Sequence, residues 1–372
     1  MKRLLVAGFG DIARRAAPEL ERAFRVDKLS RRFGRDLERP ETLQIEGAEA
    51  LLHCAPPPAS GDSDTLTANL LAALASASIL TTRVVYISTS GVYGDCSGAR
   101  VDESRPIAPR TARARRRADA EQRLAAWCTE RGVALVVLRA PGIYADDRLP
   151  LASLRARAPV LRVEDDVYTN HIHADDLARA VVRALEDDAP AGVYNVADDT
   201  ELRMGDWMDL VATRHGLPRA PRLARTEIER SVPPERYSFM SESRRLDNTR
   251  MKRLLGLRLR YRPSTRASRM RTLLVLTNVP DRAAAERIAD LLIEKRLAAC
   301  VNILACRSVY RWKDAVQHDE EHPLLIKTTA DRYAELESAL RAAHPYELPE
   351  IIAVPIERGL TAYLDWVAAE TK

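Results

Sequence analysis

Gly8-Phe9-Gly10-Asp11-Ile12-Ala13 places two glycines and an alanine at G-x-G-x-x-A spacing, directly after a short apolar run. Glycines permit a tight turn, and a helix opening there aims free N–H groups at an anion. A strand, this string and a helix in succession therefore predict a pyrophosphate cradle for a dinucleotide. Gly8, Gly10, Asp11, Ile12 and Ala13 are its expected cofactor contacts. The next strand end decides which dinucleotide. An acid there would bond a ribose 2′-hydroxyl, but the chain reads Leu29-Ser30-Arg31-Arg32. Arginine pairs instead with a 2′-phosphate, so Arg31 and Arg32 favour NADP over NAD. Asp27 lies inside the strand and is less well placed. Far downstream, His318 and His322 flank Glu320 and Glu321 at a spacing that suits a metal only on a helix. The pattern there predicts a hairpin loop, so solvated charge is expected. The five cysteines, Cys54, Cys96, Cys128, Cys300 and Cys306, include no C-x-x-C pair. They form neither a disulfide framework nor a zinc ribbon.

The elements that must position these groups alternate up to about Tyr261. Strands are expected at Leu4–Gly8, Phe24–Leu29, Ala50–Cys54, Val84–Ser88 and Val133–Leu138. Helices are expected at Ile12–Ala23, Thr65–Leu80 and Arg113–Arg131. Such alternation predicts a Rossmann-like, doubly wound parallel sheet with crossover helices. Residues 262–269 are polar and arginine-rich, contain Pro263 and lack an apolar period, which reads as a linker. A second pattern starts at Met270. Strands are expected at Thr272–Thr277, at Ala299–Leu304 continuing through Val309–Trp312, at Leu324–Thr329 and at Ile351–Ile356. Helices are expected at Arg282–Lys295, Tyr333–Ala342 and Leu360–Ala369. This β-α-β-β-α-β order is the ferredoxin-like α+β arrangement.

Composition bounds the remaining options. At 372 residues, with 46% hydrophobic and 30% charged residues, the chain suits two globular domains. The net charge of +5 divides unevenly. From Met270 onward 13 basic residues face 16 acidic ones, leaving 45 against 37 before it. The basic excess clusters in Arg110–Arg123 and Arg244–Arg271, without the interleaved aromatic residues of an RNA-binding surface. It predicts a solvated face or an anionic-cofactor pocket, not a nucleic-acid partner. No apolar run reaches the ~18 residues of a membrane span. The apolar start is too short for a signal peptide, so a cytoplasmic location is expected.

Val85-Tyr86-Ile87-Ser88-Thr89-Ser90-Gly91-Val92-Tyr93-Gly94 resembles the extended short-chain dehydrogenase/reductase family of NAD-dependent epimerases and dehydratases. The likeness continues through His53-Cys54-Ala55-Pro56, Leu138–Tyr144, Asn170–Leu177 and Gly192–Ala197. It implies that Cys54 and Ala55 meet the cofactor, and that Thr89 is the substrate-binding hydroxyl. Family members carry Tyr-x-x-x-Lys on the following helix, where tyrosine is the acid/base and lysine holds the nicotinamide ribose. This chain has Arg113 and Arg117 at those positions. Arginine cannot exchange a proton near neutrality, although Arg117 can still bond a ribose. Tyr144, ending a strand, is the other candidate to reach substrate. Tyr93 is expected to be packed, and His171 and His173 to cap or brace the next helix. The resemblance thus implies a domain of weak or absent oxidoreductase or epimerase activity.

Ala298–Ile303, Ser308–Trp312, Leu325–Thr328, His344–Ile351 and Tyr363–Trp366 are similar to the CutA family of divalent-cation tolerance proteins. The likeness spans nearly all of residues 270–372. It implies a homotrimer and a role linked to copper and other divalent metals. His344 with Cys300 or Glu347 could bind a soft or borderline cation. A cysteine that some members carry at the end of the first strand is Thr277 here. His344 bracing a turn, and a small-molecule cleft involving Lys327, Glu350 and Trp366, are the competing readings. The fusion is therefore expected to be an NAD(P)-binding domain on a metal-responsive trimer. The alternative is a non-enzymatic nucleotide- and metal-sensing assembly.

Overall fold

The computed structural model describes residues 1–261, 272–356 and 359–371. The linker expected at 262–269 lies outside them. The chain divides into two compact units, Met1–Pro263 and Ser264–Lys372.

The first unit is an α/β domain on six parallel strands. In chain order they are β1 (Arg3–Ala7), β2 (Arg25–Leu29), β3 (Ala50–His53), β4 (Arg83–Thr89), β5 (Ala134–Ala140) and β6 (Gly192–Asn195). Their spatial order is β6-β5-β4-β3-β1-β2. Alternate residues of one strand feed opposite cores. Leu4 and Val6 of β1 pack with helices α1 (Asp11–Ala23) and α4 (Ala174–Leu185). Leu5 and Ala7 pack with α2 (Thr65–Ala75) and α3 (Ala112–Arg131) on the other face. The sheet is thus doubly wound, as the sequence pattern predicts. The chain reverses direction across the sheet between β1 and β3, where such folds open a crevice at the strand ends.

The expected α2 is five residues too long. It stops at Ala75, because Ile79 turns back to bridge Gly47 and the Thr81 and Thr82 hydroxyls bond the Ala48 and Glu49 carbonyls. Leu80, taken for a helical apolar position, is 82% exposed.

The second unit is an α+β domain with an antiparallel sheet. Its elements run β7 (Thr272–Val279), α5 (Arg282–Glu294), β8 (Cys300–Ile303), β9 (Cys306–Trp312), β10 (Ala315–Thr329), α6 (Tyr333–Ala343), β11 (Ile352–Pro355) and α7 (Thr361–Glu370). The sheet order is β8-β10-β7-β11, with β9 paired to the outer half of β10. Val275, Leu324 and Ile326 meet Ile288, Leu292, Leu336 and Leu340 in its core.

Two expectations are corrected here. What reads as one strand from Ala299 through Trp312 is two, broken after Ile303, because each half pairs with a different part of β10. The expected loop around His318–His322 is strand. β9 and β10 join through a two-residue turn at Lys313 and Asp314, both with positive φ (46° and 63°), the geometry that matches strand twist in a tight hairpin. Extended backbone sets His318 and His322 about 13 Å apart, too far to share an ion.

Within the first unit a buried ion pair fastens α3 to the sheet. Arg139 of β5 donates to both oxygens of Glu121 (3.2 and 2.7 Å), with both side chains less than 10% exposed. Ser88 also donates to Glu121. Removing one partner of such a pair strands the other charge. Glu121→Ala should therefore lower unfolding stability by about 3–5 kcal/mol, read by urea denaturation of the full chain.

Candidate functional site

The crevice at the ends of β1 and β3 is built from glycine. Gly8 has φ +90°, and its N–H donates to the Leu29 carbonyl at 2.9 Å. A Cβ on Gly8 would lie 2.4 Å from the Ala55 nitrogen and 2.9 Å from the Cys54 carbonyl carbon. The two loops therefore touch backbone to backbone, which no side chain at residue 8 would permit. Gly10 caps α1 without a side-chain acceptor, and a Cβ there would meet nothing within 4 Å. The first helical N–H groups, those of Ile12 and Ala13 among them, are thus left without a side-chain cap. The Asp11 carboxylate instead pairs with Arg15 (3.0 Å) and Arg148 (2.7 Å), which contributes to holding its pKa down despite partial burial. Arg15 extends this network to Asp147 and Asp175, both at 2.8 Å.

Arg31 and Arg32 sit exposed in a short turn after β2, and neither pairs with a described acid. Asp27 pairs with Arg35 at 2.6 Å. The buried Ser30 hydroxyl beside them has no partner.

At the ends of β3 and β4, Arg117 fastens the floor. One guanidinium nitrogen donates to the Ala55 carbonyl (3.3 Å), the Tyr86 hydroxyl (3.0 Å) and the Ile87 carbonyl (3.0 Å). Cys54 beside it is a thiol pushed up to about 12 by burial, and its N–H is spent on the Ala7 carbonyl. His53 is driven to about 3, chiefly by burial and then by the Arg117 charge, and bonds Thr67 at 2.8 Å. The Thr89 hydroxyl is half-buried and accepts from the Gly91 N–H at 3.2 Å. Arg113, one turn before Arg117, is exposed, with its guanidinium 4.3 Å above the Phe239 ring.

The neighbouring arginines of α3 serve structure. Arg115 pairs with Asp62 at 2.9 Å and Arg116 donates to the Gly61 carbonyl. They clamp the loop that follows β3. The expected arginine-rich face is in good part this clamp.

Tyr144 ends the short strand Gly142–Tyr144, which pairs with His171–His173. Tyr93, fully buried, donates to Asn195 at 2.8 Å. His173 accepts from the Asp175 N–H at the start of α4 (3.2 Å), and its ring stacks on Tyr261. His171 stacks on Trp207, centroids 4.0 Å apart, and burial drives it to about 3. Three buried polar atoms lack partners here: the Tyr144 hydroxyl, His171 Nδ1 and Asp198 Oδ2. Burial first, then the Asp198 charge, pushes Tyr144 well above the usual phenol range. Asp198 is raised to about 7, mainly by burial, while its bonds from Thr200 oppose the rise. The sequence reading singled out neither Asp198 nor Trp207. Asp198 sits in an ordinary Asp-Asp-Thr turn, and only the fold buries it.

In the second unit the expected metal ligands do not converge. Among the described residues no three His, Cys, Asp or Glu side chains gather as a metal site. His344 Nε2 meets the Thr277 hydroxyl at 3.1 Å, and Nδ1 accepts from the Tyr346 N–H at 3.1 Å, so both ring nitrogens brace the turn. Cys300 lies in β8 opposite Lys327, and Glu347 is exposed. Among the described residues, these positions within one chain therefore do not fit a metal. Of the expected cleft residues, Glu350 accepts from Asn278 at 2.7 Å, Lys327 donates to Asn302, and Trp366 leans on Tyr363.

The fold defines a Rossmann-like, doubly wound α/β domain and a small antiparallel α+β domain in one chain. A family model for the NAD-dependent epimerase/dehydratase family matches residues 61–197, and one for CutA1 divalent ion tolerance protein matches residues 273–370. The first match begins beyond the glycine turn, so the cradle at Gly8 rests on geometry. The divalent-cation tolerance protein CutA of Thermus thermophilus is 47% identical over 98 residues, 26% of this chain and 95% of that protein. The CutA of Archaeoglobus fulgidus is 41% identical over 93 residues, 25% of this chain and 91% of that one. A solved structure of a conserved protein of unknown function from Silicibacter pomeroyi is 29% identical. It covers 70% of this chain and 94% of its own, with a TM-score of 0.58. Through its C-terminal region the chain belongs to the CutA divalent-cation tolerance family, and it carries that domain behind an epimerase-like one.

The Asp198 shift sets a pH dependence. The folded state holds a proton between about pH 4 and 7 that the unfolded chain releases, so this contribution is present below pH 4 and lost as pH rises through 7. Asp198→Asn can keep the Thr200 bonds and should lack this one titration. The difference in urea stability between wild type and variant should fall by a few kcal/mol from pH 4 to 8. His53 and His171 act oppositely below about 6.5 and cancel in this comparison.

Proposed function

We propose that the first unit binds NADP in the crevice between β1 and β3, and that it is a weak or inactive relative of the reductases and epimerases. The carrying observation is the backbone contact of Gly8 with Ala55, which brings the two strand-end loops together beside the uncapped first turn of α1. Gly8, Gly10, Ile12 and Ala13 would hold the phosphates, with Asp11 salt-bridged at the same turn. Arg31 and Arg32 would meet the 2′-phosphate. Cys54, Ala55 and Arg117 would line the nicotinamide ribose. A nicotinamide bound there supplies hydride. Thr89 then orients a substrate oxygen, and Tyr144 stands as the remaining hydroxyl. Burial and the Asp198 carboxyl favour the protonated phenol, so Tyr144 can donate a hydrogen bond yet serves poorly as a base. Arg113 occupies the position of the family's acid and holds its proton at any working pH. Calorimetry should find NADP bound more tightly than NAD, with Arg31→Asp narrowing or reversing the order. Equal affinities would refute the cofactor assignment.

The second unit supports a homotrimer through residues 270–372. Ile352 and Val354 of β11 are 47% and 45% exposed on a strand with one described neighbour, and Val309, Trp312 and Val316 are exposed on the hairpin. Long edges with apolar side chains need covering, and closure about a threefold axis covers them all alike. We place the assembly in the cytosol, which the five free thiols favour, and assign it a part in tolerance of divalent metals such as copper. Because one protomer gathers no ligand set, any ion would be held by more than one protomer or outside His344, Cys300 and Glu347. Light scattering should report a trimer that survives chelator. A chain ending at Tyr261 should lose it.

The second reading is a non-enzymatic sensor of nucleotide and metal. It is favoured by Arg113 alone, because nothing else at that position can move a proton.

A further inference from the structure

Arg113, in the first turn of α3, is a guanidinium that its described surroundings leave unexplained. Arg110 pairs with Asp95 (3.9 Å), Arg115 with Asp62 (2.9 Å), Arg123 with Asp119 (2.8 Å) and Arg244 with Glu242 (2.8 Å). Arg116 and Arg117 are spent on backbone carbonyls. Arg113 pairs with no described carboxylate. Glu242, the acid whose charge acts on it, gives one oxygen to Arg244 and leaves the other without a partner.

Arg113 is open to solvent, yet enough protein surrounds it that burial lowers its pKa first among all influences. Beneath it lies Phe239, at the end of the helix Pro234–Met240. The chain after that helix is tied back across the Thr89 turn. Ser243 N–H donates to Asp95 (2.8 Å), Cys96 N–H donates to the Ser243 carbonyl (3.0 Å), and Arg244 donates to the Gly94 carbonyl. On the other side, Thr89 Oγ1 and the Ala114 methyl lie 3.5 and 3.7 Å from one point beside Gly91. The Thr89 hydroxyl therefore lies close to Ala114, the residue that follows Arg113 in the first turn of α3. A planar, charged fork held flat by an aromatic ring has most of its N–H groups free. That is the preorganised form in which arginine takes an oxyanion in two parallel hydrogen bonds. Thr89 adds a third donor.

We propose that Arg113 and Thr89 form an oxyanion-binding site in front of the dinucleotide crevice, so that the ligand of this domain carries a carboxylate or a phosphate. The proposal deepens the assignment of Thr89 as a substrate contact and rests on it. It does not require hydride transfer. The guanidinium takes over the place of a proton donor and supplies fixed positive charge.

The test uses the full chain and two probes, inorganic phosphate and succinate, titrated calorimetrically into wild type, Arg113→Gln and Arg113→Lys. One site per chain is expected for at least one probe. Arg113→Gln should weaken it at least about tenfold, the loss of a charge-assisted bidentate contact. Arg113→Lys should retain part of the affinity as a point charge, and matching thermal melts should show that the variants fold. Preference for phosphate assigns a phosphate ester, and preference for succinate a carboxylate. The proposal is overturned if neither probe binds wild type, or if binding survives Arg113→Gln undiminished. A separate NADP titration keeps the two readings apart. Anion binding that depends on Arg113 without NADP binding would sink the cofactor and leave this site standing.

Discussion

The first unit depends on one backbone contact, that of Gly8 against Ala55. Two loops leaving neighbouring parallel strands pass in contact there, and a single methyl group would push them apart. With that approach go the positive φ at Gly8, the start of α1 at Asp11 and the lack of a side-chain cap on its first N–H groups. Arg117 then fixes the second loop from below by gathering carbonyls from the ends of β3 and β4. A lysine could donate to those carbonyls as well. The planar guanidinium can also lie over Tyr86, at 5.6 Å from its centroid, which makes Arg117 as much a strut as a ligand.

The arginines of α3 show how one residue type divides its labour by helical phase. Residues four apart share a face, so Arg113 and Arg117 look toward the crevice. Arg115 and Arg116 turn to the loop at Gly61 and Asp62. One turn further along the same face, Glu121 is drawn inward by Arg139 and Ser88. An inward ion pair is costly unless its oxygens are saturated, and here both oxygens are engaged. Charge in this region is therefore mostly architecture, with Arg113 as the residue that architecture does not use.

The second unit inverts this economy. Its interior is apolar and ordinary, and its polar groups pair locally: His344 with Thr277, Tyr346 with Glu321, Tyr310 with Asp319. What it leaves unsatisfied is apolar surface along β11 and the long hairpin. A domain of this size gains from burying such surface against copies of itself.

Sequence alone determined the order of elements, because the periods of strand and helix are local properties of the chain. It placed the glycine turn at Gly8, the parallel sheet, the antiparallel second unit and the arginines standing at Arg113 and Arg117. It erred where a segment's fate depended on a distant partner. The chain after Ala75 leaves its helix to bridge Gly47, and β10 grows to fifteen residues because β8 and β9 each claim half of it. The same limit governs side chains. His344, Cys300 and Glu347 have metal-ligating chemistry in any one-dimensional reading, but Thr277 and Tyr346 had already taken both nitrogens of His344. Asp198 reads as a turn residue, and becomes a carboxyl raised to about 7 only because His171, Tyr144 and Trp207 close over that end of the sheet. Desolvation is a property of the packed neighbourhood, and no spacing of letters encodes it.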